Sequence, residues 1–268
     1  MFLRIVFSML IFSCCCLLFP SGSTAFTKQK QHSPDSLRLF PENFLPAHTA
    51  SDEIIRHTAF TLCYSEKQEQ AKWVAYHLTA EMCNNNGEER TNNFREDLDV
   101  KTHSAVPDDY KKSGYDRGHL CPAGDMGWSE QTMSESFLMS NMSPQVPGFN
   151  RGIWKNLESD VREWAIDNKE IYVVTAGVLE DNLSTIGGNK VAVPRYYYKV
   201  ILDVHPPEYK AIGFVLPNAA SKQPVFDYAV SVDSVEHLTG IDFFPALPDS
   251  LENRLEAHFN INQWSIHP

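Results

Sequence analysis

The sequence predicts an α+β fold: a mixed, largely antiparallel sheet flanked by helices. Three observations lead there. Short β-branched and aromatic runs recur along the chain, one long amphipathic stretch interrupts them, and about 240 of the 268 residues follow an apolar leader. That length suffices for one large domain with a substantial core. No internal repeat and no heptad pattern is present.

The leader comes first. Met1 to Leu18 carries a single charge, Arg4, the apolar run extends from Ile5 to Phe19, and the small residues Ser21 to Ala25 follow. This is the composition of a secretory signal peptide over residues 1–25, cleaved after Ala25. Ile5–Phe19 is short for a bilayer span and no later run is longer, so the sequence predicts a secreted or periplasmic protein without a stable membrane span. Ile11-Phe12-Ser13-Cys14 leaves a lipid anchor at Cys14 open as an alternative. Residues 26–50, rich in Lys, Gln, Ser and Pro, read as a flexible arm ahead of a folded domain over 51–268.

Within that domain, Ala59 to Tyr64 and Ala71 to Leu78 read as a hairpin turned at Ser65-Glu66-Lys67-Gln68. Trp73, Ala75 and His77 alternate with Val74, Tyr76 and Leu78, so either face can be the buried one. The apolar positions Ile153, Trp154, Leu157, Val161, Trp164 and Ala165 recur at spacings of three and four, predicting one amphipathic helix over 150–167. Ile171 to Ala176 suits a central strand; Val191 to Asp203 and Lys210 to Leu216 are β-rich and linked through Pro206-Pro207. A short helix over Val232–Leu238 ends near Gly240.

Of the six cysteines, Cys14, Cys15 and Cys16 lie in the leader, leaving Cys63, Cys83 and Cys121. An odd number allows at most one internal bridge. Cys63 with Cys83 is the better pair, because Cys121 lies two residues from His119; the spacing carries no zinc signature. The formal net charge is −11, or −12 once Arg4 leaves with the leader. A protein that only holds nucleic acid is usually basic, so this balance argues against a pure binding module. The acidity is uneven, however. From Asp227 onward seven acidic residues stand against Arg254 alone, whereas residues 90–117 hold six charges of each sign.

Three motifs carry the chemistry. Asp116-Arg117-Gly118-His119-Leu120-Cys121-Pro122-Ala123-Gly124 places an imidazole after a turn-forming glycine and two residues from a guanidinium, a proton acceptor beside a phosphate clamp. Ser140-Asn141-Met142-Ser143-Pro144-Gln145 follows, and then Asn150-Arg151-Gly152-Ile153-Trp154-Lys155-Asn156-Leu157-Glu158 opens the amphipathic helix. Taken alone, Asn150 at that place is what an N-cap needs.

Together these motifs closely resemble the DNA/RNA non-specific endonuclease family, the ββα-metal (His-Me finger) nucleases. Val191 to Val200, Phe214 to Asn218 and Val230 to Pro245 follow the family's order as scaffold, so the resemblance covers nearly all of the chain after the leader. It implies a strand-turn-strand hairpin carrying His119 and leading into a helix whose start supplies a metal ligand. It further implies His119 as general base, Asn150 as the direct protein ligand of Mg2+ (Mn2+ a substitute), and Asn141 as a supporting site residue. Glu158 matches the family's helix glutamate. Eight residues past Asn150, roughly 12 Å along a helix, it is better placed to reach the ion through water. Arg95, within Asn93-Phe94-Arg95-Glu96-Asp97, matches an upstream phosphate-holding arginine, with pairing to Glu96 or Asp97 as its alternative. Arg117 is the adjacent cation, Asp116 braces the turn, and Lys111 and Lys112 are either phosphate contacts or a solvated turn.

The implied activity is hydrolysis of phosphodiester bonds in DNA and RNA by an enzyme that can form a homodimer. Cys121 departs from the expected surroundings of the histidine and opens a route to inhibition by oxidation or metal capture. Two other readings share parts of the pattern: a metal-dependent phosphodiesterase on a non-nucleotide diester, and a non-catalytic nucleic-acid-binding relative. Fold resemblance alone does not choose among substrates.

Overall fold

A computed structural model describes residues 41–85 and 87–265. The predicted signal peptide, Cys14 and the arm as far as residue 40 lie outside the described residues. The elements in chain order begin with β1 (Glu53–Arg56), β2 (Phe60–Ser65), β3 (Gln70–Thr79), α1 (Ala80–Asn84), β4 (Asp116–His119), α2 (Glu130–Glu135) and β5 (Met142–Gln145). There follow α3 (Lys155–Asn168), β6 (Glu170–Gly177), β7 (Thr185–Ile186), β8 (Val191–Ala192), β9 (Tyr196–Asp203), β10 (Lys210–Pro217), β11 (Ala229–Val230), α4 (Val232–Thr239) and α5 (Asp249–Ala257).

Seven strands form the main sheet in the order β1-β2-β3-β6-β9-β10-β11, and every neighbouring pair is antiparallel. The predicted hairpin is β2–β3, and the predicted central run is β6. Both faces of the sheet are covered. On β10, Phe214 stacks on Trp164 of α3 with ring centroids 5.8 Å apart. The next residue back, Gly213, faces the other way, where an added Cβ would lie 2.7 Å from Val235 Cγ2 of α4. Because helices lie on both faces, β2, β6 and β9 are buried almost continuously, which is why alternation did not choose a face for the hairpin. Trp73, Trp154, Trp164 and Trp264 are fully buried side chains of this core.

Three expectations shift. The folded body starts before residue 51: Leu45 is buried, Phe44 packs on Tyr172, and the Ala47 N–H donates to the Asp242 carbonyl at 2.8 Å. The single helix predicted over 150–167 is a helical turn, Phe149–Trp154, broken at Gly152 (φ −112°, ψ −114°), followed by α3. Cys63 and Cys83 are both free thiols. Cys63 lies against Asp52 on the sheet, whereas Cys83 of α1 lies against the Arg162 carbonyl of α3. Among the described residues no helix is long and apolar enough to cross a membrane.

Candidate active site

The site is built on a second, two-stranded sheet, β4–β5, which pairs Asp116 with Gln145, Gly118 with Ser143 and His119 with Met142. Gly118 makes no turn. It sits in the strand, and its lack of a side chain is spatial: a Cβ there would lie 2.1 Å from the buried Gln145 side chain. No turn joins the two strands, contrary to expectation, since residues 120–141 with α2 connect them, and polar contacts tie the pair to the main sheet. The Ser143 hydroxyl meets Tyr197 Oη at 2.6 Å, Tyr197 donates to the Pro144 carbonyl, and Asn218 Nδ2 donates to the same carbonyl. Asn141, fully buried, accepts from the Cys121 N–H through Oδ1 and donates through Nδ2 to the Cys121 and Ser136 carbonyls. It therefore supports the site from behind by clamping the loop that leaves His119. A buried amide in this position replaces three backbone partners at once.

His119 is 8% exposed, and its Nε2 is buried without a hydrogen-bond partner. Phe137 and Phe94 meet its ring edge-on at 4.9 and 5.8 Å. Two guanidiniums lie outside those rings, Arg117 at 4.1 Å from the Phe94 centroid and Arg90 at 4.8 Å from that of Phe137. Burial, and then the charges of Arg90 and Arg117, push the imidazole down to about 3. At neutral pH it is uncharged, with a basic nitrogen unused by the protein.

Asn150 donates Nδ2 to Asp116 Oδ2 at 2.9 Å, and Arg151 grips the same carboxylate in a fork at 2.8 and 2.6 Å. Burial opposes ionisation of Asp116, but the bonds from Arg151 and Asn150 outweigh it and hold the group below the usual carboxylate range. Asp116 thus joins the start of β4 to the turn carrying Asn150, and fixes which way the amide points. Glu158, one turn into α3, lies over a buried polar layer. Burial pushes its carboxyl up; the charges of Lys199, Arg162 and Arg90 pull the other way and that of Asp125 adds to the rise. Lys199 of β9 is fully buried, its Nζ 4.9 Å from the Trp154 ring and without a hydrogen bond. Below it Arg162 pairs with buried Asp125 at 2.8 Å.

The structure links these groups in a chain: Asn150 bonds Asp116, the charge of Arg117 acts on both Asp116 and His119, and the charge of Arg90 acts on both His119 and Glu158. Among the described residues Arg95 takes neither of its alternative partners, Glu96 and Asp97. Its guanidinium donates to the Ser134 and Asn93 carbonyls at 2.8 and 3.4 Å, and its backbone pairs with Phe137 and Met139. Lys111 pairs with Asp108 on an exposed turn. Cys121 is fully buried, burial raises its thiol, and nothing leaves it open to oxidant or metal, contrary to the expected liability. Sequence reasoning missed Arg90, Phe94, Phe137 and Lys199. Only Lys199 carried a signal, a lone cation inside an aromatic and β-branched strand.

Asn150 Oδ1 accepts no hydrogen bond among the described residues, since the amide engages Asp116 through Nδ2. Glu158 adds a carboxylate that no side chain caps directly. Hard oxygen donors of this kind, few and partly neutral, suit a divalent cation that keeps much of its water.

An antiparallel strand pair whose first strand ends in an unpartnered imidazole, followed by a helix start that presents an amide oxygen, defines the class of ββα-metal nucleases. The chain belongs to the DNA/RNA non-specific endonuclease family, whose sequence profile matches residues 45–250, and it is an endonuclease. It is 34% identical to human mitochondrial endonuclease G over 201 residues, covering 70% of this chain and 68% of that protein. It is 32% identical to a nuclease of Nostoc sp. over 254 residues, covering 90% and 87%, and 36% identical to nuclease C1 of Cunninghamella echinulata over 215 residues, covering 74% and 85%. The fold superposes on a crystal structure of EndoG bound to EndoGI with a TM-score of 0.73 at 31% identity, spanning 82% of this chain and 95% of that one.

Proposed function

We propose that this endonuclease is a secreted or periplasmic, Mg2+-dependent enzyme that cleaves both DNA and RNA. The observation that carries the reading is the neutral imidazole of His119, held close to the charges of Arg90 and Arg117. A phosphodiester seated between the two guanidiniums is oriented by them, and its negative charge lowers the cost of placing a proton on His119. Water at the exposed edge of the imidazole gives up that proton to the ring as its oxygen attacks phosphorus, the bond to the 3′-oxygen breaks, and the alkoxide is protonated by solvent. Asn150 would hold Mg2+, with Glu158 reaching it through water; when bound, the ion supplies positive charge for the phosphorane and the leaving oxygen. Asp116 positions Asn150 and Asn141 positions the loop after His119. Sugar-nonspecific cutting follows if every contact is to phosphate and none to a base edge or a 2′-hydroxyl.

The test is digestion of plasmid and of RNA by residues 26–268 in Mg2+ at low and moderate salt, beside His119→Ala and Asn150→Ala. Cleavage of both polymers by the wild type, lost with EDTA and with either variant, is the expected result. A folded wild-type protein that leaves both polymers intact but hydrolyses a small diester would move the assignment to a non-nucleotide phosphodiesterase.

A further inference from the structure

On the face of the sheet opposite the active site, α4 and α5 lay carboxylates against one another. Asp233 and Glu236 are three residues apart on α4, and Glu252 and Glu256 four apart on α5, so each pair shares one helix face. One carboxylate oxygen each from Asp233, Glu236 and Glu256 lie within 4.8 Å of one another. Asp242 and Glu252 also act on Glu256. No lysine, arginine or histidine forms an ion pair with any of these five among the described residues.

Glu256 supplies the second observation. It is 7% exposed, and its Oε1 is buried with no hydrogen-bond partner. Its neighbour Glu236 is fixed by accepting the Phe243 N–H at 2.7 Å, so the two helices and the 241–244 loop converge on this pocket of oxygens. A buried carboxylate without a partner, facing other carboxylates, is costly to leave uncompensated.

We infer that Asp233, Glu236 and Glu256 form a second metal site, separate from the catalytic one, which takes a calcium ion and ties α5 to α4. A separation of 4.8 Å is about twice a Ca–O distance of roughly 2.4 Å, so the three oxygens fit around one ion. Mg2+ demands shorter bonds in a near-ideal octahedron, which an uneven set of carboxylates from two helices and water does not readily supply. The ion's role is structural, since the sheet lies between it and His119.

The experiment is thermal unfolding of the full chain, stripped with EDTA and dialysed, with and without CaCl2. It is run on Asn150→Ala, so that the catalytic site does not report, and on Asn150→Ala combined with Asp233→Asn and Glu256→Gln. Asn150→Ala should gain roughly 5–10 °C in Tm at Ca2+ about 100 times its dissociation constant. Calorimetric titration should give one Ca2+ per chain. The combined variant should neither shift nor bind. If Ca2+ leaves the Tm of Asn150→Ala unchanged while Glu256→Gln alone raises it, a proton occupies the pocket and the metal site is overturned. Gain of an equal shift by the combined variant would also overturn it. Glu236→Gln serves as a second route should the combined variant fail to fold, with the same loss of Ca2+ binding expected. Nuclease activity of the wild type plays no part in the readout, so the proposed reaction can fail without deciding this site.

Discussion

A buried imidazole flanked by two guanidiniums is expensive to protonate, and that cost has a sign that can be measured. His119 takes a proton near pH 6.5 in the unfolded chain but only near 3 when folded. Between those values the unfolded state holds the extra proton, so stability falls as pH drops from about 6.5 towards 3. The contribution is on the order of a few kcal/mol. His119→Phe should therefore flatten the fall in Tm between pH 7 and pH 4; parallel curves for the two proteins would mean that the ring is hydrated and protonated like any surface histidine. Gly118→Ala has a different physics. Its Cβ would displace the buried Gln145 side chain, and overpacking of that kind costs about 1–3 kcal/mol, read as a lower urea midpoint with unchanged slope. His119, Asn150, Asp116 and Glu158 were legible because they lie within two continuous motifs. Arg90, Phe94 and Phe137 were not, because only tertiary folding brings them to the imidazole and their spacing in sequence says nothing.

At the scale of elements, the hairpin β2–β3, the strand β6 and the helix α3 were visible from periodicity, and β4 and β5 were not. Each of the latter has four residues, and Gly118 and Pro144 within them are poor strand formers whose places are set by Gln145 packing and by Tyr197 and Asn218. The break at Gly152 was hidden for a similar reason: the apolar spacing runs straight through it. The loop after His119 depends on Asn141 rather than on any regular element. Asn141→Ala would strand the Cys121 N–H and two carbonyls in the interior, at a cost of about 2–4 kcal/mol with partial relaxation. A lower Tm together with a fall in kcat and a nearly constant KM is the expected outcome. Lost activity at an unchanged Tm would instead mean that Asn141 touches substrate itself and does more than support the loop.

Across the whole molecule, a net charge of −11 belongs to an enzyme whose substrate is a polyanion. The register of β10 separates the two charge regions, with Phe214 towards α3 and the cleft and Gly213 towards α4 and its carboxylates. Helix and sheet layers pack about 10 Å apart, so the acidic end lies more than one Debye length from the cleft at 0.1 M salt but well within one at 0.01 M, where the length is about 30 Å. At very low salt a substrate phosphate feels the whole acidic protein; at moderate salt it feels mainly Arg90 and Arg117. The rate constant kcat/KM on plasmid should accordingly rise between about 10 and 50 mM NaCl, pass through a maximum, and then fall as the local contacts are screened. On the falling side each phosphate contact contributes a slope of about −0.9 in log rate against log salt, so Arg90→Ala should flatten it by about one such step. A steady decline from the lowest salt, with Arg90→Ala parallel to wild type, would show that the acidic end is not felt at the cleft and that Arg90 does not hold phosphate.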